Sequence, residues 1–273
     1  MAEANLKKGD SVGKKYEVIG VLSQSERSTV YLAEEKAAKN RRAIKEIWSG
    51  MPEGEEKNLA KDHFVRELRI LGSLEEAGIP RFTEGLSLGS WHYLVMEYID
   101  GETLEVMKKL RGRPFPVKEV IHWGRHIART LHYLHNRETP IVHKNLQPAH
   151  LVVSTDGAVK LIDFGIARFF CDFKLKDTFI MGTPGFAAPE QYGKKQTTHL
   201  TDIYALGATL YALLTDEDPQ RFVFNFPPLR KFNREVPPWL EKLIARCLEE
   251  DPRRRPRNAF VIREELEKKG MKL

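Results

Sequence analysis

Short runs of β-branched and aromatic residues separated by polar turns mark the first third of the chain. Residues 16–22, 28–33, 42–47 and 91–98 read in this way as strands. Between them Phe64, Leu68, Leu71 and Leu74 recur at helical spacing, which predicts one amphipathic helix over 59–76. A loop rich in Gly, Pro and Glu over 49–57 precedes it. From about Leu104 the pattern turns helical, and Val120, Ile121, Ile127, Leu131 and Leu134 mark one face of a long helix ending near His135. A hairpin follows, with strands at 151–153 and 159–162 around an Asp156-Gly157 turn. Residues 166–189 lack periodicity and hold Gly, Pro and Thr, as a long ordered or switchable loop would. Helices return at 202–214, 239–248 and 259–269. A strand-rich part followed by a helix-rich part, without internal repeats, predicts an α+β protein of two lobes. The boundaries expected are about 16–98 for the β-rich N-lobe and 99–273 for the helical C-lobe, with a hinge near 97–101, all in a single domain over 1–273.

A length of 273 residues suits one fold of two lobes. At 41% hydrophobic and 30% charged, the chain has the profile of a soluble globular protein and not of a disordered or fibrous one. The net charge of +6 is a modest excess that reads as solvated surface. The basic clusters at 108–113 and 253–255 are short and not interleaved with aromatics, so no nucleic-acid partner is expected. Two cysteines, Cys171 and Cys247, argue against a disulfide scaffold or zinc site and fit a reducing cytosol. No run approaches the ~20 apolar residues of a membrane span. The longest candidate, 204–214, reads as a buried core helix. The first 15 residues are polar, without a signal-peptide core, and a cytoplasmic location is expected.

The candidate chemistry lies in an ordered set of motifs. Ala43-Ile44-Lys45 comes first, then Glu67 in the amphipathic helix and Leu94-Val95-Met96-Glu97-Tyr98. His143-Lys144-Asn145-Leu146-Gln147-Pro148 and Leu161-Ile162-Asp163-Phe164-Gly165 follow. Gly182-Thr183-Pro184-Gly185-Phe186-Ala187-Ala188-Pro189-Glu190, Asp202 and Asp251-Pro252-Arg253-Arg254-Arg255-Pro256 complete the set. In order and spacing this resembles the protein kinase superfamily, specifically bacterial Ser/Thr kinases, over about residues 16 to 266.

The resemblance implies ATP as ligand, with Mg²⁺ beside it. Lys45 would meet the α- and β-phosphates, held by an ion pair with Glu67, and Asp163 would ligate the ion. Val30, Ala43 and Val152, with Leu22, would enclose the base, and Met96 would stand behind it. The backbone of Glu97 and Ile99 would bond its edge. A buried Glu190–Arg255 pair, an Asp202 bracing the catalytic loop and a structural His143 with Leu71 and Phe164 are also implied.

Other positions depart from the family. Serine stands at all three glycine positions of its phosphate loop, in Ser23-Gln24-Ser25-Glu26-Arg27-Ser28. Glycine lets the backbone approach phosphate without a Cβ in the way, and Glu26 adds negative charge nearby. Asn145 occupies the place of the catalytic aspartate, and an amide has no oxygen basic enough to take a proton. Gln147 replaces the lysine that would neutralise the transferring phosphoryl group. His150 replaces the asparagine that holds a second metal, and imidazole suits transition metals better than Mg²⁺. Thr178 and Thr183 are candidate phosphoacceptors, Thr183 with a structural hydroxyl role. Lys144, in place of arginine, would meet a phosphothreonine only as a point charge.

The expected function is that of a pseudokinase with weakened ATP binding and lost or strongly reduced phosphoryl transfer. It would act as a regulatory or scaffolding module on a protein partner, such as an active kinase or a signalling protein. The alternatives are a slow but active Ser/Thr kinase and a kinase-fold transferase moving another part of the nucleotide, such as AMP.

Overall fold

The computed structural model describes residues 5–25, 28–48, 55–170, 182–193 and 196–271, the side chains of 55–60 excepted. Among the residues singled out above, Glu26, Arg27, residues 49–54 of the first expected loop and residues 171–181 of the second, Cys171 and Thr178 with them, lie outside the described residues. The chain divides into two compact units, Met1–Glu75 with Pro80–Asp100 and Glu76–Ile79 with Gly101–Leu273.

The first unit holds β1 (Ser11–Val12), β2 (Tyr16–Gln24), β3 (Ser28–Glu35), β4 (Arg41–Trp48), α1 (Glu55–Gly72), β5 (Phe82–Leu88) and β6 (Trp91–Glu97). The strands form one antiparallel sheet in the order β1-β2-β3-β4-β6-β5. Strand alternation divides its residues between two faces. Val30, Lys45 and Leu94 are cross-strand partners, and Ala43 pairs with Met96, so these share one face. Tyr31, Ile44 and Val95 share the other, where they form a core with Val12, Tyr16, Val18, Ala33 and Tyr93. Glu46 is buried on this second face but not alone, because the Tyr31 hydroxyl donates to its Oε1 at 3.0 Å and Asn5 Nδ2 to its Oε2 at 3.1 Å.

Helix α1 starts at Glu55, ahead of the expected 59, and stops at Gly72, short of the expected 76. Beyond Gly72 the Ser73 and Leu74 N–H groups turn back to the Ile70 and Leu71 carbonyls at 3.0 and 3.2 Å. Leu74 is buried after the helix has ended, which is why its apolar spacing overran the true terminus.

The second unit begins with β7 (Gly101–Thr103), α2 (Leu104–Arg111), α3 (Val117–His135) and β8 (Ile141–Val142). It continues with β9 (Leu151–Ser154), β10 (Val159–Leu161), β11 (Arg168–Phe169), α4 (His199–Thr215), α5 (Pro238–Cys247) and α6 (Ala259–Gly270). Side chains of Thr103, Thr198 and Asn258 accept hydrogen bonds from first-turn N–H groups of α2, α4 and α6, which sets where those helices start. Helix α4 is buried at every position from Thr201 to Thr215. It reaches α5 through Gly207, where a Cβ would stand 2.6 Å from the Cys247 Cβ. Burial pushes the Cys247 thiol up to about 12, so it is inert packing and not a nucleophile. Residues 76–79 join this unit because the Gly78 carbonyl accepts from the Leu161 N–H at 2.8 Å and Ile79 is buried.

Candidate active site

In the second unit the loop carrying Asn145 hangs from α4. Asp202 is fully buried, and its carboxylate accepts from the His143 N–H at 2.8 Å, the Lys144 N–H at 2.7 Å and His135 Nε2 at 2.8 Å. Lys144 has φ +69°, a left-handed conformation that costs a non-glycine residue about 1 kcal/mol or more. Its two backbone bonds hold it there, since its carbonyl also accepts from Gln191 Nε2 at 2.9 Å. The Lys144 side chain is buried and not displayed on the surface. His143 stacks edge-on against Phe164 with ring centroids 5.0 Å apart. Burial lowers its pKa, so the ring is neutral; Nε2–H donates to the Asp163 carbonyl at 2.5 Å and Nδ1 accepts from the Asn145 N–H at 3.3 Å.

This scaffold presents Asn145, Gln147 and Thr183 as a closed triangle. Gln147 Nε2 donates to Thr183 Oγ1 at 2.7 Å and to Asn145 Oδ1 at 3.3 Å, and Thr183 Oγ1 donates to the same Oδ1 at 3.1 Å. The Asn145 amide oxygen therefore receives two donors, and the Thr183 hydroxyl has the structural role expected of it. Gln147 takes up a bridging position that no spacing in the sequence announced.

The remaining members of the second-unit site are Asp163 and His150. Asp163 Oδ1 accepts from the Gly165 N–H at 3.2 Å. His150 Nε2 lies 3.5 Å from Asp163 Oδ2, and His150 Nδ1 is 2.8 Å from the Asn145 carbonyl oxygen. Asp163 offers the hard oxygen that Mg²⁺ takes, whereas His150 offers nitrogen, which does not fit that ion. Among the described residues no group of three or more His, Cys, Asp or Glu is placed to hold a metal. Val152 is nearly buried on β9.

In the first unit the Lys45 ammonium donates to Glu67 Oε1 at 2.7 Å and Oε2 at 2.9 Å, with Glu67 almost fully buried. Met96 is buried, Leu22 is 44% exposed on β2, and Ile99 is half-buried just beyond β6. The Glu97 N–H is committed to the Arg81 carbonyl at 2.9 Å and its carboxylate accepts from the Arg81 N–H at 3.0 Å. Any base edge bonded by the Glu97 backbone would thus meet its carbonyl and not its N–H. The serine turn is tied to itself. Ser25 Oγ accepts from the Ser28 N–H at 3.1 Å and lies 3.0 Å from the Ser28 carbonyl, with the two hydroxyls 3.2 Å apart. A backbone N–H of the kind that binds phosphate is consumed by a serine hydroxyl.

The expected Glu190–Arg255 pair is present and buried. Arg255 Nη1 and Nη2 donate to Glu190 Oε1 and Oε2 at 2.7 and 2.9 Å. Its other N–H groups reach the Glu249, Leu200 and Glu250 carbonyls at 2.8, 2.9 and 3.2 Å. Thr201 Oγ1 adds a bond to Glu190 Oε1 at 2.8 Å.

Comparison with known proteins follows the same lines. The profile of the protein kinase domain matches residues 16–266. The chain is 28% identical over 274 residues to a probable serine/threonine-protein kinase of Clostridium perfringens, covering 95% of this chain and 39% of that one. It is 27% identical over 256 residues to the serine/threonine-protein kinase PrkC of Bacillus subtilis, covering 89% and 39%. Against the serine/threonine-protein kinase PknD of Chlamydia caviae the identity is 28% over 293 residues, covering 93% and 31%. The chain thus spans about two fifths or less of the length of these relatives. Among the described residues no helix is long and apolar enough to cross a membrane.

Proposed function

The chain belongs to the protein kinase family, and on that premise we propose that it is a pseudokinase, a regulatory module that binds nucleotide weakly and has lost most or all phosphoryl transfer. The observation that carries this reading is the triangle at Asn145. A general base needs an oxygen that takes up a proton, but Asn145 presents an amide oxygen already accepting from Gln147 and Thr183. Gln147 brings no charge, so the site also lacks the ammonium that would oppose charge on a transferring phosphoryl group.

The reading of weakened ATP binding rests on other residues. The Lys45–Glu67 pair keeps a fixed ammonium of the kind that meets α- and β-phosphates, and Asp163 keeps an oxygen ligand for Mg²⁺. Mg²⁺, when bound, neutralises phosphate charge. Val30, Ala43 and Met96 share a sheet face with Lys45 and supply apolar surface for a base. Against tight binding stands the serine turn, whose Ser28 N–H is taken by Ser25. A protein partner in the cytoplasm, an active kinase or another signalling protein, completes the proposal.

Nucleotide binding to the native state raises apparent stability, by about 2.7 kcal/mol at a hundredfold excess over Kd. A thermal-shift titration with ATP is expected to raise the melting temperature of the wild-type protein at millimolar nucleotide. Lys45→Met is expected to remove that rise. No rise in the wild type, or an equal rise in Lys45→Met, would refute nucleotide binding at this site.

A further inference from the structure

Nine histidines occur in the chain, and most of their rings are engaged. His92, His132, His135, His143, His150 and His199 each have a ring nitrogen within hydrogen-bond distance of a protein partner. His122 and His126 differ. Among the described residues neither of these rings takes part in a hydrogen bond or an ion pair. They stand four residues apart on α3, a spacing that puts both side chains on one face of the helix. The apolar stripe of α3 turns Ile121, Ile127 and Leu131 inward, which leaves His122 exposed and His126 half-buried at its margin. Their nitrogens are therefore available to a ligand from solution.

The two ring centroids are 4.5 Å apart, with the planes inclined at 49°. A ligated imidazole nitrogen sits about 2.1 Å from its ion, which places the ring centroid about 3.2 Å away. Two such rings have centroids about 4.5 Å apart at a right angle and about 5.2 Å apart at the tetrahedral angle. The pair thus has the separation of adjacent ligands on a square-planar or octahedral ion.

The neighbouring cations are countered by carboxylates of other segments. Arg125 Nη2 donates to Glu267 Oε1 at 2.8 Å, and Arg129 Nη2 lies 3.1 Å from Glu76 Oε1. Burial, then the charges of His122, Arg125 and Arg129, lowers the His126 pKa, so that ring is neutral at pH 7, as ligation requires.

We infer that His122 and His126 form a two-imidazole site for a late first-row divalent ion, with Ni²⁺ and Cu²⁺ fitting the right-angle arrangement. The protein supplies two nitrogens, and water fills the remaining positions. Imidazole suits these ions, whereas Mg²⁺ prefers oxygen alone. The site involves neither the nucleotide residues nor the loop at Asn145, so it stands or falls apart from the proposed function.

Calorimetric titration of the full, untagged chain with Ni²⁺ in the absence of nucleotide tests this. One equivalent is expected to bind, at least about tenfold more tightly than Mg²⁺. Because His122 is exposed, His122→Ala is expected to keep the metal-free melting temperature and to weaken Ni²⁺ binding at least about tenfold. His126→Gln is expected to weaken it likewise, and His150→Gln to leave it unchanged. Saturating Ni²⁺ should raise the melting temperature of the wild type but not of His122→Ala, since the ion holds the native helical spacing of the two rings. No Ni²⁺ binding, equal affinity for Mg²⁺, binding unchanged in His122→Ala, or binding lost in His150→Gln would each overturn the inference.

Discussion

Asp202→Ala is expected to lower stability by about 3–5 kcal/mol, the range for stripping the partner from buried, charge-assisted bonds. The carboxylate is fully buried, and alanine leaves the N–H groups of His143 and Lys144 and the His135 ring without an acceptor. The loop bearing Asn145 hangs on those bonds, so its geometry is lost along with the stability. Burial alone would push the Asp202 carboxyl up, but the hydrogen bond and charge of His135, with the charge and backbone bond of His143, outweigh it and hold the pKa below the usual value. The folded carboxyl therefore keeps its charge to lower pH than the unfolded chain does. Its contribution is complete above the unfolded pKa of about 3.9 and disappears as pH falls through the folded value. Urea denaturation at pH 7 and at pH 3 checks both statements. The wild type should lose more stability between those conditions than Asp202→Ala, and a variant midpoint at pH 7 within error of the wild type would contradict the account.

The second large effect belongs to the Glu190–Arg255 pair. Arg255→Met strands a carboxylate that is 4% exposed, and about 3–5 kcal/mol is expected to go with it. Exposed pairs are a different matter. Lys109–Glu105, at 71% and 45% exposure, belongs to a class whose members contribute about 0–1 kcal/mol. The paired replacement Glu190→Gln with Arg255→Met is expected to recover part of the loss, because no buried charge is then left alone. Denaturation midpoints of the two single variants and the double variant measure this coupling, and additive losses would refute it.

How much of this was legible in the sequence depended on which force placed each residue. The amphipathic spacing of Val120, Ile127 and Leu134 located α3, and the Asp156-Gly157 turn located the β9–β10 hairpin, because burial of one face dictates both patterns. Strand β5 was missed, since an edge strand with a half-exposed pattern shows no clear alternation. The short β1, β7, β8 and β11 escaped because two or three residues carry no period. Motif order brought Lys45 to Glu67 and Asp202 to the loop backbone, as expected. It did not foretell Gln147 turning back onto Asn145 two residues away, nor His135 on Asp202 and Thr183 on Asn145, contacts made across 67 and 38 residues of separation. Long-range polar contacts of that kind leave no local pattern. The self-bonded serine turn was also not foretold: Ser25 Oγ accepts from the Ser28 N–H, and the two hydroxyls lie 3.2 Å apart.

The central claim is that the loop at Asn145 positions groups without moving a proton or opposing phosphoryl charge. Transfer of labelled γ-phosphate to a generic protein substrate and to the chain itself tests it most directly, in three proteins side by side. The wild type is expected to match the background set by Lys45→Met, while Asn145→Asp combined with Gln147→Lys should rise above it by about 10² or more. Wild-type turnover in the ordinary kinase range of about 1–100 s⁻¹, abolished by Lys45→Met, would contradict the account.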